Sequence, residues 1–121
     1  MRLVSRLAAA AAAVSLALAA APAAAEPTVG QWRANRDDPQ MTAFLLGFAS
    51  GTGWANTDLE AEGRARVFCQ PKQLSLTYDL LKQILEAFLV ANPGIEDDMM
   101  VTGVLLFALK DRYPCPAGTP A

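Results

Sequence analysis

The sequence predicts an all-α fold: a small, disulfide-closed bundle of three to five helices that follows an N-terminal signal peptide. Three observations carry that expectation. Apolar residues recur at spacings of three and four in three separate stretches, the period of an amphipathic helix, and no stretch alternates β-branched with polar residues. The chain opens on two arginines followed by a long uncharged, alanine-rich run. Its only two cysteines, Cys69 and Cys115, form an even set, which in an exported protein reads first as a disulfide.

Residues 1–25 follow the three-part logic of a signal peptide. Arg2 and Arg6 give the positive start, Leu7 to Ala21 the uncharged stretch, and Ala23 to Ala25 the small residues that a signal peptidase accepts before a cut at Glu26. No cysteine stands near that cut, so no lipid anchor is expected. A retained membrane anchor is the alternative, but Leu7 to Ala25 is mostly alanine and marginal for the roughly 20 strongly apolar residues of a spanning helix. Periplasmic localisation is therefore expected, without membrane attachment after cleavage.

Removing the leader changes the charge balance. Of 121 residues 96 remain, with 8 basic against 12 acidic side chains, a formal charge of −4. Nucleic acid is not an expected partner, because duplex binding needs a clustered basic surface. A basic or cell-wall-directed protein partner is easier to accommodate. A chain of this size folds as one domain with a modest stability margin. Joining Cys69 to Cys115, 46 positions apart, contributes up to about 4 kcal/mol by restricting the unfolded chain. No Cys-x-x-Cys spacing argues for a redox pair.

Along the mature chain, residues 26–37 hold Pro27 and Gly30 and little periodicity, and are expected to form a flexible N-terminal arm anchored only by Trp32. The helical domain spans 38–115. Asp38-Pro39 opens its first helix, since the carboxylate accepts orphan N–H groups and proline suits the first helical position. Met41, Phe44, Leu45, Phe48 and Ala49 then write an apolar stripe on a helix running to about Trp54. Gly47 and Gly51, one turn apart, fit either a tight contact with a partner or second copy, or an internal helix crossing with fraying toward Gly53. Residues 56–65 are polar and read as a loop or a short helix. Ser75 or Thr77 caps a second helix whose face is Leu80, Leu81, Ile84, Leu85, Phe88 and Leu89, stopped at Asn92 by Pro93. Glu96, Asp97 and Asp98 read as the acidic first turn of a third helix. That helix carries Met100, Val101, Val104, Leu105, Ala108 and Leu109, with Leu106 and Phe107 widening the stripe. Lys110 and Arg112 close it before Pro114. Residues 116–121 form a short C-terminal tail. The expected Cys69–Cys115 bond ties the start of the second helix to the end of the third.

The absence of histidine excludes Ser-His-Asp and Cys-His nucleophilic sites and removes the commonest catalytic zinc ligand. No phosphate loop or dinucleotide fingerprint is present. Ser50, Thr52 and Ser75 have only isolated carboxylates as general bases, and a pair such as Asp58 and Glu62 reads as solvated surface. The sequence is that of a binding protein rather than an enzyme, with no catalytic residue, metal or cofactor expected.

The segment from Phe68-Cys69-Gln70-Pro71 through Leu89-Val90-Ala91-Asn92-Pro93 to Ala108-Leu109 and Tyr113-Pro114-Cys115 resembles the Rap/Tai immunity protein family of type VI secretion systems. Phe44-Leu45-Leu46-Gly47-Phe48-Ala49-Ser50-Gly51 is similar to that family's first helix, so the likeness covers most of residues 41 to 115. The resemblance implies a periplasmic helical protein, often dimeric, that binds and inhibits a peptidoglycan-cleaving amidase delivered by a neighbouring cell. No contact residue carries over. Asp58, Glu60 and Glu62, together with Glu96, Asp97 and Asp98, are candidate partner-binding residues because charge steers encounter with a partner of opposite sign. Small exported helical proteins with two cysteines about this far apart also resemble HdeA-like acid-stress chaperones. An envelope protein of other role is the third possibility.

Overall fold

A computed structural model describes residues 25–117, within which the chain forms four helices and no strand. The expected leader, apart from Ala25, and residues 118–121 of the tail lie outside the described residues. The helices are α1 (Val29–Ala34), α2 (Pro39–Ala61), α3 (Tyr78–Ala91) and α4 (Val101–Arg112). In one respect the chain departs plainly from expectation: residues 26–37 are not a flexible arm.

Within that segment Thr28 and Gln31 form a capping box, each side chain bonding the other's backbone N–H, which starts α1. Six residues are too few to hold a helix by themselves. Tertiary contacts hold this one. Val29 N–H donates to the Met99 carbonyl (2.8 Å), Gly30 N–H to the Asp97 carbonyl (2.9 Å), and Val101 N–H to the Pro27 carbonyl (3.0 Å). Val29 and Trp32 are completely buried.

Asp38 caps α2 as the sequence predicts, accepting from the N–H groups of Gln40 (2.8 Å) and Met41 (3.2 Å) ahead of the first-turn proline. The helix runs past Trp54 to Ala61, so most of the ambiguous polar stretch is helical. It closes on a Schellman motif: Arg64 N–H reaches the Leu59 carbonyl (2.8 Å) and Gly63 N–H the Glu60 carbonyl (3.1 Å). Gly63 supplies the left-handed conformation this requires, with φ of 71°.

Thr77, not Ser75, caps α3, its hydroxyl accepting from Leu80 N–H. Leu81, Ile84, Leu85 and Leu89 form the buried stripe. Helix α4 begins later than the acidic run suggests. Glu96 to Asp98 lie in the turn before it, and Met100 is its N-cap without a side-chain bond. The cause is the pairing of Thr28 with Met100 in an isolated antiparallel bridge, which holds the backbone extended up to the first helical residue. Val101, Val104, Leu105, Ala108 and Leu109 are buried on α4, whereas Phe107 faces solvent.

Helices α3 and α4 make the most extensive packing, an antiparallel hairpin; α2 lies against α3 and α1 against α4. Cys69 and Cys115 are joined, with Cα atoms 4.8 Å apart. Cys69 N–H also donates to the Tyr113 carbonyl (2.8 Å), so a backbone bond accompanies the covalent one. Phe68, fully buried beside it, joins the core.

Candidate partner-binding surfaces

Two of the segments singled out in the sequence, around Cys69 and Cys115, meet at this staple. Phe68, Cys69, Tyr113 and Cys115 build one corner, and the residue that completes it is Asn56 on α2. Asn56 is buried, its Nδ2 donating to the Phe68 carbonyl (3.1 Å) and its Oδ1 accepting from Val67 N–H (2.7 Å). Both faces of its amide are used to fix the loop to α2. One asparagine in a polar stretch carries no periodic signal, so Asn56 is not marked out by the sequence.

The predicted acidic residues fall into two separate places. Asp58 and Glu60 are exposed on the last turns of α2, and Glu62 is its C-cap residue, paired with Arg64 (3.1 Å). Glu96, Asp97 and Asp98 occupy the turn pressed against α1. Asp97 is a structural residue there: its carboxylate meets Arg33 Nε at 3.2 Å, and its backbone accepts from Gly30. A Cβ on Gly30 would stand 3.1 Å from the Asp97 Cβ, so this crossing admits only glycine without adjustment.

The glycines of α2 behave differently. Nothing lies within 4 Å of a Cβ built on Gly47, Gly51 or Gly53, which overturns the internal-crossing alternative, and the helix does not fray there. Gly47, Ser50 and Gly51 share an open face with Trp54, a residue that is 72% exposed. No charged residue occurs from Pro39 to Thr57. A large exposed indole on an uncharged stretch of helix is the feature of this surface that most resembles the aromatic anchors of protein interfaces.

The Thr52 hydroxyl is turned to the Phe48 and Ala49 carbonyls of its own helix. Among the described residues no group of three or more histidine, cysteine or acidic side chains converges on a metal position. Nor, among them, is any helix long and apolar enough to cross a membrane. The charged side chains instead brace the α1–α2 connection against α3. Arg36 meets Glu86 (2.6 Å), the Tyr78 hydroxyl donates to the Arg36 carbonyl, and Lys82 sits 3.5 Å from both Asp37 and Asp79. Desolvation pulls the Lys82 ammonium pKa down, but hydrogen bonds and attraction from the two carboxylates outweigh it, so its pKa stands above the ordinary lysine value.

Comparison with known proteins finds no matching family model, no matching curated protein and no matching solved structure.

Proposed function

We propose that this chain is a periplasmic immunity protein that binds a type VI secreted peptidoglycan amidase and inhibits it by covering the cleft. The support is of two kinds: the resemblance of residues 41 to 115 to the Rap/Tai family, and a body suited to inhibition without chemistry. The observation that carries the reading is the exposed Trp54 on the uncharged stretch of α2, held on a helix that Asn56 and the disulfide fix to the core. A rigid surface loses little freedom on binding, so more of the contact energy appears as affinity. Truncating an anchor of this kind typically costs 2 kcal/mol or more, roughly 30-fold in affinity.

The test is capture from periplasmic and secreted fractions, followed by cell-wall amidase assay of the bound protein. The expected result is a nanomolar complex that silences hydrolysis and that Trp54→Ala weakens while leaving thermal stability unchanged. Protection of an unfolding client near about pH 2–3 with no hydrolase bound would assign the acid-chaperone role instead.

A further inference from the structure

Away from the α2 face, a groove of about 490 Å³ runs between α1, α3 and the Asn92–Pro93 turn. Two donors beside it stand out. Trp32 Nε1 and Arg36 Nε are buried and have no hydrogen-bond partner, and among the described residues they are the only side-chain atoms in that condition. Buried N–H groups are nearly always paired, so two such groups on neighbouring side chains mark this wall of the groove as incompletely satisfied. The Arg36 guanidinium lies over the Trp32 ring, 4.7 Å from its centroid.

Arg33 and Arg36 stand one turn apart on the same wall. Each is held at one nitrogen by a carboxylate, Arg33 Nε by Asp97 (3.2 Å) and Arg36 Nη1 by Glu86 (2.6 Å). Since a guanidinium carries five N–H donors in a planar fork, each retains donors after these bonds. Both side chains are about two-fifths exposed, at 44% and 40%. The opposite wall is apolar: Leu89, Pro93 and a Val90 that is 83% exposed. An apolar wall facing a few fixed polar groups is the usual composition of a ligand site, and this volume lies within the usual range.

We infer that this groove is a receptor for a carboxylate-bearing peptide segment of a protein partner, with the carboxylate on Arg33 and Arg36 and an adjoining small apolar residue against Val90 and Pro93. Because Glu86 already fixes Arg36, the carboxylate meets a pre-set fork. Engaging its outer nitrogens draws the guanidinium relative to the indole beneath it, so the Trp32 N–H reports occupancy. The site stands whether or not the partner is an amidase.

The chain has two tryptophans, which makes the test internal. Indole N–H resonances of the folded, oxidised protein are followed by NMR during titration with N-acetyl-alanyl-alanine carrying a free carboxylate, and with its C-terminal amide as control. Trp54→Phe assigns the signals. The expected result is a saturable shift of the Trp32 resonance with the acid but not the amide, and a Trp54 resonance that stays still. Arg36→Gln is expected to weaken binding at least tenfold. Arg33→Gln, an exposed position whose change leaves the core intact, is expected to weaken it several-fold, and it carries the test if the Arg36 variant fails to fold. No shift of Trp32 up to about 50 mM acid, an equal response to the amide, or joint movement of both indoles would overturn the assignment.

Discussion

Replacing Asn56 by alanine removes the polar fastening of the disulfide loop without touching the disulfide. Two hydrogen bonds disappear, to the Phe68 carbonyl and from Val67 N–H, each worth about 1 kcal/mol net. Leaving buried partners unpaired adds to the cost. Together these predict a loss of about 2–4 kcal/mol, a large share of the 5–15 kcal/mol typical of a domain. Asn56→Asp is the sharper variant. An ionised carboxylate still accepts from Val67 but faces the Phe68 carbonyl oxygen with no proton to donate, so at neutral pH it should destabilise at least as much as alanine. The carboxyl's pKa is then raised in the folded state, so the protonated form's contribution is present at low pH and lost as pH rises. Urea denaturation of the oxidised proteins near about pH 7 and about pH 4 measures both effects. An alanine cost below about 1 kcal/mol, or an aspartate deficit that widens toward acid, would refute the assignment of Asn56 as the loop's anchor.

Other consequences are equally direct. Replacing both Cys69 and Cys115 by serine should lower stability by up to about 4 kcal/mol and the melting temperature by on the order of 15–30 °C, read by thermal circular dichroism; a loss under about 1 kcal/mol would contradict it. Gly47→Ala and Gly51→Ala, with open space around them, should each stabilise α2 by up to about 1 kcal/mol, whereas Gly30→Ala should destabilise by about 1–3 kcal/mol against Asp97. Chemical denaturation ranks the three. The raised Lys82 pKa means that its contribution is complete below the unfolded value of 10.5 and lost as pH climbs through the folded value. The stability gap between the native protein and Lys82→Met should therefore hold steady up to that pH and shrink above it.

Where local chemistry dominated, the fold was legible. Asp38-Pro39, the leucine stripe of α3 and the Asn92–Pro93 stop each determine their element through contacts within a few residues. The paired cysteines were legible because the chain holds no others. Helix α1 was not, because its stability comes from the Asp97 and Met99 carbonyls, far away in sequence. The same contact hid the true start of α4: three acids suit a helix N-terminus, but they lie in a turn, and the Thr28–Met100 bridge leaves Met100 extended before the helix. Of the candidate partner residues, Asp97 proved to be committed to Arg33 and Gly30. Trp54 and the groove beside Trp32 depend on which face each helix turns inward, and apolar spacing did not resolve that for a helix with glycines on its outer side.

The attachment of α1 to the turn before α4 also governs how the polypeptide matures. Synthesis proceeds from the amino end, yet α1 has nothing to dock on until Met99 and Val101 exist. A chain that ends short of that point leaves Val29 and Trp32 uncovered. Closure of the first helix must wait for that partner segment, and shielding of the Trp32 indole accompanies it.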